Sequence, residues 1–249
     1  LRLLLEGIVV NNDKIIFDFR RDDPETDIIS LKFGKFNKKI STRSGTDVYF
    51  GYRYAKNAPP ADIALVRTAI KMMDTSLIAE TDINLLIQKA VNNFLNVSGE
   101  TFDIIITPKS SGPLVTAIAK AFKAKLGVNT LLATDSIVKN SIDNIKIDPA
   151  KASAMSAEQR SNLNRIIAGA TKTGSFKMKS VPIPMRRSII NFFKFDDSNS
   201  RQVFNKISSG KVLLLDDIYT GGSTFTEMVR IISEQSPSKI TGFILLLSN

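Results

Sequence analysis

Asp216 and Asp217 are adjacent carboxylates at the end of an aliphatic run, Val212-Leu213-Leu214-Leu215. Ile218-Tyr219-Thr220-Gly221-Gly222-Ser223-Thr224 follows them. Two neighbouring acids can hold a divalent cation or a pair of hydroxyls. A glycine pair flanked by hydroxyl residues, placed before a helix, can cradle an anion on backbone N–H groups. Carboxylates beside an anion repel it unless they meet cations or sugar hydroxyls. A ligand with a phosphate at one end and a ribose diol in its middle satisfies both halves.

The flanking residues must place this turn. Val212–Leu215 is apolar on both faces and short, so it predicts a buried parallel strand. Phe225 to Ile232 is apolar at helical spacing. Thr224-Phe225-Thr226-Glu227 fits a capping box, which predicts a helix start near Thr224. A second unit of the same design lies upstream. Asp103-Ile104-Ile105-Ile106-Thr107 reads as a strand, Pro108-Lys109-Ser110-Ser111-Gly112-Pro113 as a turn, and Leu114 to Leu126 as a helix.

The run Val212 to Thr224 resembles the phosphoribosyl pyrophosphate motif of the type I phosphoribosyltransferases. That motif is several aliphatics, two acids, an aliphatic, any residue, and a Thr/Gly/Ser-rich turn ending in Thr. The resemblance implies an α/β fold with an open, mostly parallel sheet and helices on both faces. It implies transfer of ribose 5-phosphate from phosphoribosyl pyrophosphate to a nitrogen base, with Mg²⁺ and release of pyrophosphate. Asp216 and Asp217 would then be the catalytic acids, gripping the ribose hydroxyls directly or through Mg²⁺. Thr220, Gly221, Gly222, Ser223 and Thr224 would take the 5′-phosphate. Lys109, Ser110, Ser111 and Gly112 stand where the family has its pyrophosphate loop. Their hydroxyls, ammonium and helix-terminal amides suit a diphosphate.

In the 6-oxopurine branch an aspartate stands where this chain has Thr220. Hypoxanthine and guanine are therefore less expected as acceptors than orotate, adenine, uracil or xanthine. The order Lys151, Gln159, Arg160, Leu163, Arg165 and Phe176 is also similar to the ComF branch, which links such a domain to DNA uptake. The zinc-binding segment usual in that branch has no counterpart, because the chain has no cysteine and no histidine. The alternative reading is a non-catalytic protein of this fold that senses phosphoribosyl pyrophosphate or a nucleotide. Many relatives of the resembled family are homodimers and cytoplasmic, and both are expected here.

Composition narrows the chemistry. With 249 residues and 43% hydrophobic residues, the chain can bury a substantial core. Without Cys or His it has no disulfide, thiolate nucleophile, zinc–thiolate site or Ser–His pair. Chemistry must come from Asp, Glu, Lys, Arg, Tyr or a metal held by oxygen. No run of 18 apolar residues predicts a membrane span. Net charge is +10, and residues 120–187 hold 13 Lys and Arg against 4 Asp and Glu. A concentrated basic field suits a polyanion, or is a solvated face. Nothing interleaves aromatic and basic residues in the manner of an RNA-binding surface, so nucleic acid is left unsupported.

The remaining chain reads in two parts. Residues 1–58 form a β-rich segment, and 59–249 form the α/β domain, including a long basic region, about 135–187, expected to be a mobile loop over the site. Gly7 to Val10, Ile15 to Phe19, Ile28 to Phe33 and Val48 to Tyr54 are candidate strands, with a hairpin at Asn11-Asn12-Asp13. The tyrosines at 49, 52 and 54 are read as packing on a sheet rather than stacking on a base. Ala61 to Met73 and a segment capped by Thr81 or Asp82 are helices expected to pack on the sheet edge. Asn129 to Thr134 and Ile240 to Leu247 are strands, and Ala157 to Ala168 and Arg201 to Ile207 are helices. Phe176 to Ser180 is read as a ribbon arm, and Val181 to Pro184 as extended.

Overall fold

Aliphatic strands dictate the centre of the molecule. The computed structural model describes residues 5–11, 14–18, 28–33, 46–54, 60–109, 112–174, 176–199, 201–219 and 222–247. Strands β5 (Ile104–Pro108), β6 (Leu131–Lys139), β10 (Lys211–Tyr219) and β11 (Lys239–Leu247) lie in the spatial order β6-β5-β10-β11, all parallel. Numbered along the chain this is the 2-1-3-4 order of a doubly wound sheet. The next position is filled from the other end of the chain. Strand β4 (Asp47–Tyr54) pairs in parallel with β11, with Phe243 opposite Tyr49. The sheet is thus continuous across residue 58.

Antiparallel strands extend both edges. Beyond β4 lie β3 (Ile28–Phe33), β1 (Leu5–Asn11) and β2 (Lys14–Asp18), giving the order β2-β1-β3-β4. The hairpin expected at Asn11 is the β1–β2 pair, in register at Asn11 and Lys14. Beyond β6 lies β9 (Phe193–Phe195). The nine strands form one mixed sheet whose centre is parallel.

Helices cover both faces, because alternate residues of the central strands are apolar in both directions. Helices α1 (Pro60–Met72), α2 (Glu80–Ser98) and α3 (Leu114–Leu126) cover one face. There Leu213, Leu215 and Phe243 meet Phe94 and Phe122 in a buried aromatic cluster, with Phe94–Phe243 centroids 5.3 Å apart. The other face takes α5 (Ala157–Thr173), α6 (Arg201–Ser209) and α7 (Ser223–Ser233). Val212, Leu214 and Ile244 pack there against Ile207, Phe225 and Met228. The helices α1 and α2 therefore lie on a sheet face, not on its edge. The reason is the full-width apolar stripe of α2 from Ile83 to Phe94, which is buried. Tyr49 and Tyr52 pack as expected, and the side chain of Tyr54 lies outside the described residues. Tyr52 is fully buried and donates to the Leu86 carbonyl, and Tyr49 lies edge-on to Phe94.

Several local expectations are corrected. The N-cap of α2 is Ala79, with no side-chain cap, so neither Thr81 nor Asp82 caps it. Strand β6 runs past Thr134 to Lys139 because a bulge absorbs the polar residues, and pairing with β5 resumes at Ile137. The region expected to be a mobile loop is built of packed elements. It holds α4 (Pro149–Ser153), then α5, which is capped by a full Ser156–Gln159 box. Short 3₁₀ turns follow at Met178–Ser180 and Ile183–Ser188, where a ribbon arm and an extended segment were expected. Pro182 and Pro184 fix φ near the value such turns need. Strand β8 (Ile189–Ile190) then pairs with β7 (Lys146–Ile147).

One contact ties the sheet to the phosphate-type turn. Gly242 of β11 lies beneath Phe225 of α7, and a Cβ on it would come within 2.2 Å of the ring. Phe225 is itself fully buried. Gly242→Ala is expected to destabilise the fold by about 1–3 kcal/mol through overpacking. Urea denaturation checks this, and an unchanged midpoint contradicts the packing.

Candidate functional site

Strands β5 and β10 are neighbours, with Val212 opposite Ile104 and Leu214 opposite Ile106. Both end at the same edge of the sheet. From there α3 turns to one face and α7 to the other. Diverging connections after adjacent parallel strands open a crevice, the usual ligand position in a doubly wound sheet. Both turns singled out in the sequence leave from this point.

Strand alternation separates the two acids. Asp216 follows Val212 and Leu214 onto the α7 side, where it lines a cleft of about 170 Å³. Gly222, Ser223 and Thr224 of the turn, and Met178 and Arg186 of the basic region, also line that cleft. Asp217 points to the opposite side, toward α1, and is 5% exposed. Each carboxylate is braced by its own backbone. Asp217 N–H donates to Asp216 Oδ1 at 2.9 Å, and Ile218 N–H donates to Asp217 Oδ1 at 2.7 Å.

The remaining Asp217 oxygen is unusual. Lys71 Nζ of α1 lies 2.7 Å from Oδ2, so the charges are paired. Oδ2 is buried and, among the described residues, has this ion pair and no further hydrogen bond. The same lysine touches the other turn. A Cβ on Gly112 would come within 2.7 Å of the Lys71 carbonyl oxygen, so only glycine permits this approach. Asp217 and Gly112 thus meet at Lys71, while Asp216 shares the cleft with Gly222, Ser223 and Thr224.

Electrostatics differ for the two acids. Burial first, and then the neighbouring Asp217 charge, push the Asp216 carboxyl up to about 8. The Asp217 N–H and the Lys71 charge pull the other way. A neutral carboxyl in the cleft becomes a carboxylate once a cation arrives to compensate it.

The glycine turn is shaped by Tyr219. Gly222 is the N-cap of α7, with φ 71°, and a Cβ on it would collide with the Tyr219 hydroxyl. Tyr219 is buried and lies edge-on to Phe50. The helix begins at Ser223, one residue before the expected start, and has no side-chain cap. The capping box is not formed. Glu227 is instead buried and gripped by Arg230, whose Nε and Nη2 donate to its two oxygens at 2.8 and 2.9 Å. Among the described residues no side chain caps the first-turn N–H groups of α7, and uncapped N–H groups at a helix start suit an anion.

The expected residues fall into three groups. Asp216, Gly222, Ser223 and Thr224 come together at the cleft. Asp217 and Gly112 come together through Lys71. Lys109 is exposed and held through its N–H to the Ile137 carbonyl, 2.7 Å away. Ser110, Ser111, Thr220 and Gly221 lie outside the described residues.

Sequence reasoning missed Lys71, Arg186 and Asp135. Lys71 is one lysine on an amphipathic helix, and nothing local links it to Asp217. Arg186 is turned to the cleft by a 3₁₀ turn, where its Nε donates to Val181 O at 2.7 Å. Asp135 sits at the β6 bulge with φ 55° and donates its N–H to the buried Thr107 hydroxyl. Its left-handed backbone at the sheet edge is legible only in three dimensions.

Among the described residues no cluster of three or more His, Cys, Asp or Glu forms a metal cage. The donor set still fits Mg²⁺, which binds through one or two carboxylates and keeps waters and substrate oxygens. No protein-family model matches the chain, and no curated protein matches it. No described helix is long and apolar enough to cross a membrane.

The raised Asp216 value has a signed consequence. Between the ordinary 3.8 and about 8, the folded state keeps a proton that the unfolded chain releases. Stability is therefore expected to fall as pH rises through that window. Asp216→Asn removes the penalty, so its gain in Tm should be larger at pH 8.5 than at pH 5, by roughly 3 °C or more. Thermal melts of both proteins at both pH values check this, and an equal gain at both contradicts the assignment.

Proposed function

We propose that the protein binds phosphoribosyl pyrophosphate at the β5/β10 crevice and transfers its ribose 5-phosphate to a nitrogen base. The observation that carries this reading is the division of the acid pair. Asp216 lines a cleft with Gly222, Ser223 and Thr224, and Asp217 pairs with Lys71, whose carbonyl oxygen lies against Gly112. A sugar held between two phosphate groups asks for that order of partners.

In this reading the 5′-phosphate lies on the N-terminal amides of α7, with Thr220 to Thr224 around it. Asp216 and Asp217 orient the ribose hydroxyls. The diphosphate lies on the 109–112 turn, with Lys109 beside it. The base nitrogen forms a bond to C1′ as the bond from C1′ to the diphosphate oxygen breaks, and that oxygen carries the electron pair away. Positioning and charge compensation supply the catalysis. Asp216 and Asp217 would hold Mg²⁺ with substrate oxygens, and the ion would neutralise charge on the leaving diphosphate. Arg186 lines the cleft from the basic region and adds a fixed positive charge there.

Two measurements test the reading. Incubation with phosphoribosyl pyrophosphate, Mg²⁺ and a panel of bases is expected to release pyrophosphate with at least one base. Tight binding without release for any base would instead identify a sensor. The Asp216→Asn/Asp217→Asn variant is expected to remain folded and to lose ligand-induced stabilisation. For the wild type that stabilisation is about 2.7 kcal/mol when ligand exceeds Kd a hundredfold. Undiminished stabilisation in the variant removes the acids from the ribose.

A further inference from the structure

Several surface cations of this chain have carboxylate partners, Lys151 with Asp148, Lys194 with Asp197 and Lys239 with Glu100. Helix α5 is different. Its Arg160, Arg165 and Lys172 are exposed, and among the described residues none of them is in a salt bridge. Arg160 donates to the Ala152 carbonyl and Arg165 to Asn162 Oδ1, both at 3.3 Å, and both acceptors are neutral. Glu158 is the one acid of the helix and sits in its first turn, where the dipole favours it. Helical period separates the faces. Leu163 and Ala170 are buried, with Ile166 and Ile167 partly buried beside them. The opposite face carries Ser161, Arg165, Ala168 and Lys172, all exposed. Arg165 and Lys172 are thus stacked about 10 Å apart along the axis. Gly169 flanks them. A Cβ there would meet nothing within 4 Å, so internal packing does not call for glycine, although glycine inside a helix costs stability. The helix is still firmly ended. The Ser156–Gln159 box starts it, and Gly174 closes it by donating to the Ala170 and Thr171 carbonyls.

We propose that the outer face of α5 is a docking surface for the phosphate backbone of duplex DNA, bound without regard to base sequence. Charge complementarity carries the choice. Residues 120–187 hold 13 Lys and Arg against 4 Asp and Glu, and α5 turns three of those cations to solvent with no carboxylate partner among the described residues. What the face lacks narrows the partner. Its large apolar side chains are turned inward, so it has nothing to bury in a lipid headgroup layer. It has no aromatic residue to anchor a protein interface or to stack single-stranded bases. Small residues at 161, 168 and 169 let a phosphate chain come close to the helix, and Asn164 adds amide donors. The surface is separate from the crevice. Among the described residues no α5 side chain lines the cleft that holds Asp216, so docking here and chemistry there are independent.

Fluorescence anisotropy with a short labelled DNA duplex of mixed sequence tests this. The wild type is expected to bind, and its affinity should fall about tenfold or more between about 50 and 200 mM salt. Arg165→Gln/Lys172→Gln should weaken binding about tenfold at the lower salt and reduce the salt slope by about 2. Both sites are exposed and glutamine is a good helix former, so this variant should match the wild type in Tm. Lys120→Gln/Lys125→Gln removes the same charge from α3, on the other face of the sheet, and should change affinity by about twofold or less. Equal losses in the two variants would mark a response to net charge alone and overturn the proposal. Gly169→Gln adds bulk without charge and should weaken binding while Tm stays or rises. Full affinity in that variant places the duplex elsewhere and overturns the proposal too. So does a wild type that fails to bind the duplex at the lower salt, that prefers the single strand, or that binds phosphatidylserine vesicles instead.

Discussion

Two carboxylates at the end of a buried aliphatic strand are the constraint around which this molecule is arranged. Leu213, Leu214 and Leu215 are fully buried, so the chain delivers Asp216 and Asp217 to the edge of a dry core. An ion pair with Lys71 meets one acid, and burial beside its neighbour pushes the carboxyl of the other up. Among the described residues Asp217 Oδ2 has the Lys71 ion pair and no further hydrogen bond. Polar groups held in that condition commonly mark functional sites, because a ligand completes what the fold leaves open.

The packing on each face serves that edge. Phe225 rests on Gly242 and sets the start of α7, and Tyr219 fills the space under Gly222. Arg230 holds Glu227 away from the helix start, and among the described residues no side chain caps the amides there. It also donates to Asn191 in the β8–β9 turn, which joins α7 to the basic region supplying Met178 and Arg186. On the other face, α1 carries Lys71 to Asp217 and is seated by Val66, Ala69 and Ile70. Val66 and Ile70 are fully buried beside the ammonium-bearing turn. Rigid neighbours on both sides keep the crevice open at the point where strand connections diverge.

The basic region contributes more than net charge. Its sequence reads as a long polar loop, but α5 buries Leu163 and Ala170, and Phe176 stacks edge-on against Phe192. These few apolar contacts suffice to fold it against the sheet. Its lysines and arginines on α5 remain on the solvent side, while Arg186 faces the cleft with Asp216.

Short-range chemistry determined much of this protein from sequence alone. Apolar periodicity marked β5, β10, β11, α3 and α7, because burial and hydrogen-bond period act between near neighbours. The acid pair and the two turns were readable for the same reason, being consecutive residues with one local geometry. The placement of the elements was decided only by the tertiary structure. Strand β4 completes the parallel sheet from the far end of the chain, and nothing in its local pattern names β11 as its partner. Lys71 meets Asp217 because α1 happens to pack on the same face, and Glu227 abandons its expected capping role because Arg230 lies one turn away. Pairings between residues distant in sequence depend on which surfaces meet, and a one-dimensional pattern does not encode which surfaces those are.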